Sequence, residues 1–332
     1  TYLSYNMVAG NASDSQMAMA FEVLDYALLS APGAPLKQAL LDAKAGKDVY
    51  GSYDDGILQP YFTVIAKGSN PDKKEEFLSV IRQVLGDIVK NGIDKKAIEA
   101  GINYFEFRYR EADFSSYPKG LMYSLDILGD WLYEQGNPFA QVQQLEVFEK
   151  LKAAVNEGYF EELIRKYLLE NPHGCVLTLV PKKGLAAKRE KELEEKLEAY
   201  RSSLSEQELN AMVEKTKALE AYQEAEEDQE ALECIPMLKR SDIKKEAAKF
   251  VNEELSVDDS LFLYHDVCTN GIGYVDLMFK TDSIAPEQIP YLGLLKSVLG
   301  YVDTKDYTYG ELFNEINANT GGINCGVEVF DR

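Results

Sequence analysis

Histidine is almost missing from this chain: there are two, His173 and His265, far apart in sequence. No H-x-x-E-H or H-E-x-x-H run occurs, so no helix can set two imidazoles one turn apart for zinc. The four cysteines, Cys175, Cys234, Cys268 and Cys325, include no C-x-x-C pair. That fits single buried thiols in a reducing compartment better than a disulfide framework or a structural zinc site. No apolar run approaches the roughly 18–20 residues of a membrane helix. No basic start leads into an apolar stretch, so no signal peptide is visible and a cytoplasmic protein without membrane partners is expected. A G-x-S-x-G elbow and a phosphate loop are both missing, and Gly271-Ile272-Gly273 falls short of a dinucleotide fingerprint. Positive charge is scarce too: 35 basic residues face 56 acidic ones, a net of −21. Such a field repels phosphate backbones, which argues against general nucleic-acid binding; it can attract basic peptides or serve solubility alone, and the second reading is favoured.

What is present is core material. Hydrophobic residues make up 45% of 332, enough for about two domains. Residues 2–9 read as a strand, and Ser13 with Gln16 forms a capping box opening a helix whose apolar face is Met17, Phe21, Leu24 and Leu28. Pro32 and Gly33 break that helix, and a second runs from Pro35 to about Gly46. Strands follow over 47–53 and 57–66 around Asp55-Gly56, with Pro60 predicting an edge position or a bulge. Three helical stripes come next: Phe77/Ile81/Val84/Ile88 ended by Gly92, Ile98/Ile102/Phe105/Tyr109, and Leu121/Leu125/Leu128/Leu132. Apolar periodicity continues from Leu145 to Leu169, Pro172 stops it, and 175–180 reads as a strand. The hairpin requires antiparallel pairing, so the fold class is α+β: a mainly antiparallel sheet covered by helices on one face.

Residues 182–233 are rich in Lys, Glu, Ala and Leu. The stripe Leu193/Leu197/Tyr200/Leu204, a capping box at Ser205 and Glu208, and the stripe Met212/Thr216/Leu219/Tyr222 predict a helical hairpin. The acidic run Glu224–Glu233 reads as a solvated face. The last part predicts strands 261–267 and 272–279 around Asn270-Gly271, helices over 286–299 and 308–319, and a strand over Asn324–Phe330. Strand, helix, helix, strand over 272–330 repeats the order of 2–53. Stopping at Arg332 would leave a strand edge unpaired, so a longer parent protein is expected.

Chemistry is thinly signalled. Tyr104-x-Glu106-x-Arg108-x-Arg110 on one helix can bind an anion or form a surface salt-bridge network, and the second reading is favoured. The 21 tyrosines can line a peptide cavity or fill core and rim positions, and again the second is favoured. By motif, no catalytic residue and no metal ligand is assigned, and the substrate-binding residues are unknown.

Several segments, in order, resemble the presequence-protease and falcilysin subgroup of the insulinase-type (pitrilysin family) zinc metallopeptidases. They are Thr1-Tyr2-Leu3-Ser4-Tyr5, Gly33-Ala34-Pro35-Leu36-Lys37-Gln38-Ala39-Leu40, Trp131 with Gly136-Asn137-Pro138, and Leu177-Thr178-Leu179 with Pro181. Ile235-Pro236-Met237-Leu238, Ser241-Asp242-Ile243, Thr269-Asn270-Gly271-Ile272-Gly273-Tyr274 and Thr320-Gly321-Gly322 continue the likeness. The resemblance implies a second, non-zinc α+β domain at 1–181, a connecting helical hairpin at 182–235, and the truncated start of a third peptidase-like α+β domain at 236–332. It implies a non-catalytic central part, chamber wall and hinge, of a clamshell peptidase that degrades unfolded peptides. The zinc motif and the substrate-assisting Arg/Tyr pair of the family lie outside these residues, so this chain alone is expected to be inactive. It would hold no cofactor itself, zinc belonging to the full-length protein. Its partners would be the remaining domains of the same chain and unfolded, basic peptides. The alternatives are a complete non-catalytic binding or scaffold protein derived from the same family, and an unrelated hydrolase using scattered carboxylates.

Overall fold

The computed structural model describes residues 1–133, 136–247, 249–258 and 260–329. Four strands, β1 (Tyr2–Val8), β2 (Asp48–Asp54), β3 (Tyr61–Lys67) and β4 (Gly174–Leu179), form one antiparallel sheet in the order β2-β3-β1-β4. The register aligns Met7 with Phe62 and Gly174, and Phe62 with Tyr53. Because side chains alternate across a strand, Leu3, Tyr5, Met7, Val49, Tyr53, Phe62, Val64 and Ala66 share one face. All of these but Tyr5, which is partly buried, lie within the core. Helices α1 (Ser15–Asp25), α2 (Pro35–Asp42), α3 (Lys74–Asn91), α4 (Lys95–Glu111), α5 (Lys119–Trp131), α6 (Leu145–Ala154) and α7 (Tyr159–Leu163) follow. Phe21, Leu24, Phe77, Ile81, Ile98, Ile102, Phe148 and Phe160 from this layer meet the sheet in one continuous core. The α+β class with a helix-covered antiparallel sheet is therefore what the chain adopts.

The details depart from the sequence expectations in physically readable ways. Asp14, not Ser13, caps α1, its Oδ1 accepting from Met17 N at 2.9 Å. The Ser13 amide and hydroxyl are both drawn to Asn11 Oδ1 instead. Past Asp25 the helix widens into a π turn over Tyr26–Ser30 and stops at Ala31. Pro60 lies outside β3, which starts at Tyr61 and sits inside the sheet rather than at its edge. The strand expected from residue 57 therefore begins four residues later: 57–60 form a loop, Pro60 has no N–H for the ladder, and its carbonyl accepts from Ala9 N. The run expected over Leu145–Leu169 is split by Gly158 at φ 75°, a left-handed value that favours glycine. The α5 stripe Leu121, Leu125, Leu128 and Leu132 is exposed rather than buried.

The chain divides into two compact units, Thr1–Val180 with Cys268–Arg332, and Pro181–Val267. The second unit carries α8 (Leu185–Ser203), α9 (Glu206–Glu224) and α10 (Gln229–Glu233). Ser205 and Glu208 close the expected capping box at the start of α9. Leu193, Leu197, Tyr200 and Leu219 are exposed, and so is the acidic run through α10. This unit also holds the hairpin β5 (Glu253–Val257) and β6 (Ser260–Tyr264).

In the last part, Asn270 (φ 54°) and Gly271 (φ 83°) make the expected tight turn. The flanking strand 272–279 does not form, and β6 pairs with β5 instead. Residues 324–329 carry no strand either, and Phe330 lies outside the described residues. The internal repeat thus survives in its helices, α11 (Ile289–Val298) and α12 (Tyr309–Asn319), and not in its strands. All four cysteines are free but exposed, correcting the expectation of burial.

Candidate functional site

The sheet face turned away from the helices is open. Its register builds rows across the strands: Ser52, Thr63, Asn6 and Cys175 in one, Tyr50, Ile65, Ser4 and Leu177 in the next. Asp48, Lys67, Tyr2 and Leu179 form a third. The first row is internally satisfied. Asn6 Oδ1 accepts from Thr63 Oγ1 at 2.7 Å and from Ser4 Oγ at 3.0 Å, while Asn6 Nδ2 donates to Cys175 O at 3.3 Å. Apolar side chains flank it in the open: Tyr50 is 39% exposed, Leu177 55% and Leu179 59%. At the far end Tyr61 donates to Asp54 Oδ2 at 3.0 Å. The face is thus a wall of satisfied hydroxyl and amide groups between exposed aromatic and aliphatic side chains.

A second cluster lies under the sheet. Asp25, at the end of α1, is buried, and Ser30 Oγ donates to its Oδ2 at 2.6 Å while Oδ1 has no partner. Gly51 of β2 makes room for it, since a Cβ there would lie 2.8 Å from Oδ1 and 2.3 Å from Leu29 Cδ1. Burial, then Asp55 and Asp25, push the Glu22 carboxyl up to about 7 against the opposing pull of Arg108. Asp25, Asp55 and Asp126 are raised as well, chiefly by burial. Glu22 thus titrates near neutral pH, and no motif in the sequence announced the cluster. A signal was there: Phe21, Leu24, Asp25 and Leu28 stand at i, i+3, i+4 and i+7, so Asp25 occupies a core position of an apolar face.

The run singled out on α4 is a salt-bridge network. Arg110 and Lys152 both pair with Glu106, at 2.7 and 2.6 Å. Burial opposes the Glu106 charge, but these two cations hold its carboxyl below the usual range. Glu106 is itself buried, so the network reaches inward rather than staying on the surface. Arg108 donates to Tyr104 OH at 2.9 Å and stacks over its ring. The histidines do other things: the His173 carbonyl accepts from Val8 N, and His265 Nδ1 meets Val251 O at 2.8 Å. Among the described residues no three His, Cys, Asp or Glu side chains are grouped to hold a metal ion, so these residues do not fit a zinc site. No helix among them is long and apolar enough to cross a membrane.

The geometry defines a helix-backed antiparallel sheet domain with one open face and no metal-ligand group among its described residues. The family model "Peptidase M16 inactive domain" matches residues 1–105, and the model for the region associated with the M16 peptidases of subfamily C matches residues 179–332. The chain belongs to the M16 (insulinase/pitrilysin-like) peptidase family. It is 43% identical to Protein HypA of Clostridium perfringens over 330 residues, 99% of this chain and 34% of that protein. It is 31% identical to Presequence protease 1, chloroplastic/mitochondrial, of Arabidopsis thaliana over 315 residues, 93% of this chain and 29% of that protein. The chain therefore spans about a third of the length of these curated relatives. The solved structure of a protease from Helicobacter pylori matches 54% of this chain and 41% of its own, with a TM-score of 0.42 and 15% identity.

Proposed function

We propose that this chain is a non-catalytic central part of an M16 metalloendopeptidase, supplying chamber wall and hinge for the degradation of unfolded peptides. The observation that carries this reading is the open sheet face, where Tyr50, Leu177 and Leu179 stand exposed beside the satisfied Asn6–Thr63 row. Residues 1–181 are read as the second peptidase-like domain, 182–235 as the connecting hairpin, and 236–332 as the start of the third domain. Zinc and the groups that work with it belong, on this reading, to the remaining domains of the parent, which acts in a reducing, cytoplasm-like compartment. The net charge of −21 favours basic peptides by long-range attraction.

The test is hydrolysis of an unstructured basic peptide of about 20–30 residues, long enough to be extended and flexible. The 332-residue chain with added zinc is expected to cleave nothing. In the full-length parent, joint replacement Tyr50→Ala and Leu177→Ala is expected to raise KM about threefold to tenfold, with kcat nearly unchanged, as loss of uniform binding does. Chelator-sensitive cleavage by the chain alone, or an unchanged KM in the parent, overturns the reading.

A further inference from the structure

The segment from Cys268 onward holds to the first 180 residues without entering their core. The main cluster takes no residue beyond Val176. α12 instead joins a small separate cluster of Tyr26, Ala31 and Ala100 with Tyr104, Phe105, Phe313 and Ala318. Around that cluster the contacts are polar and run both ways. Asn103 Nδ2 on α4 donates to Asn317 O at 2.6 Å and Thr320 O at 3.1 Å, at the end of α12. Asn270 Nδ2 donates to Arg110 O at 3.0 Å, at the end of α4. The last carbonyls of a helix have no partner inside it, so Asn103 supplies donors for the end of α12 and Asn270, in the turn before α11, supplies one for the end of α4. Lys96 and Glu315 form an ion pair nearer the α12 centre, and Tyr274 OH donates to Glu111 Oε1 at 3.0 Å. Small residues permit the approach: a Cβ at Gly310 would lie 3.2 Å from Pro32 O, and one at Gly321 would overlap the Phe107 ring.

From this division of contacts we propose that α12, with its flanks 268–274 and 320–321, is a releasable latch on α4. Its apolar contact is small and meets the main core's packing at Phe105, and its polar bonds are part-buried or exposed, whereas the sheet core is continuous and takes no residue from α12. The latch therefore opens as one body while β1–β4 stay folded, as a sub-global unit. The latch is a property of this chain's own packing and needs no catalysis.

The experiment is hydrogen exchange on the 332-residue chain. In the wild type, amides of α12 are expected to exchange together and at least tenfold faster than those of β1 and β3. Asn103→Ala removes two bonds of ordinary strength and is expected to speed α12 about tenfold without moving the strands. Should that variant misfold, Lys96→Glu reports the same equilibrium: it speeds α12 at low salt, and the swap Lys96→Glu with Glu315→Lys restores it. Exchange of α12 at the strand rate in the wild type overturns the proposal, as does acceleration of the strands along with α12 in either variant. So does a pattern in which neither variant alters α12. Because nothing in this test depends on hydrolysis, its failure leaves the peptidase reading standing, and the converse holds too.

Discussion

Raising the pH from 5 to 7.5 should weaken this fold, and Glu22 is the main reason. Its carboxyl is carried from an ordinary 4.5 to about 7 by burial and by Asp55 and Asp25. Below pH 4.5 native and unfolded chains both hold the proton, and the full benefit is present. Between 4.5 and 7 the native state alone holds it, so stability falls as pH rises, and above 7 the loss is complete. A displacement of about 2.5 pH units sets a ceiling of about 3 kcal/mol on that loss. Asp25, Asp55 and Asp126 are raised too and act in the same direction. Glu106 is held low and acts in the opposite sense, its stabilisation being lost only as pH drops through the acid range. The assay is urea unfolding followed by far-UV circular dichroism at half-unit pH steps. Glu22→Gln keeps the shape without the charge, and it should flatten the slope and stabilise the protein at pH 8 by about 1–3 kcal/mol. General repulsion in an acidic chain would also weaken the fold with rising pH, so exposed Glu99→Gln serves as the control and should change little. A wild type whose stability is flat or rises over this range refutes the reasoning. So does a Glu22→Gln variant no better than Glu99→Gln.

Two further substitutions probe the same region. Gly51→Ala sets a Cβ against Leu29 Cδ1, Thr63 O and Asp25 Oδ1 at 2.3, 2.7 and 2.8 Å, and should cost about 3 kcal/mol or abolish folding. Denaturant midpoints within experimental error of the wild type would mean the helix α1 layer yields easily. Tyr53→Phe removes the buried bond from Tyr53 OH to Ala9 O at 2.8 Å and should cost about 1–2 kcal/mol in the same assay. Its ring packing on Phe21, with centroids 5.1 Å apart, is kept, so a loss above about 3 kcal/mol would show that the hydroxyl does more than close one bond.

The first 180 residues were largely legible because their signals are local or reinforce each other. Phe21, Leu24 and Leu28 mark a helix face at the right period, and the hairpin expected around Asp55-Gly56 forms, though its connection spans 55–60 and its second strand starts at Tyr61 rather than residue 57. Helix α4 shows the limit. Its stripe Ile98, Ile102, Phe105 and Tyr109 faces the main core as expected, but Ala100, Asn103 and Phe107 form a second working side. No hydropathy pattern marks that side, because it is made of one alanine, one amide and a ring laid against a glycine. Helix α5 fails in the other direction: Leu121, Leu125 and Leu128 have the period of a buried face and stand exposed. Periodicity reports which residues share a side, and it does not report whether anything covers them.

Strands make the same distinction more severely. A helix closes its own hydrogen bonds, so α11 and α12 form over the residues that predict them, the latter behind a Thr308–Glu311 capping box. A strand closes none, and its ladder exists only in a partner. Residues 272–279 carry the alternation and the preceding turn of a hairpin, yet 260–264 pairs with 253–257 alone and its other edge carries no strand among the described residues. β1 avoids this fate because both its edges are occupied, by β3 over seven residue pairs and by β4 over six. The two halves of the internal repeat therefore diverge at the element type whose stability is non-local. The same logic accounts for α12: with no sheet of its own to cover in the described residues, it meets α4 through capping groups, glycines and one small apolar cluster rather than through the main core.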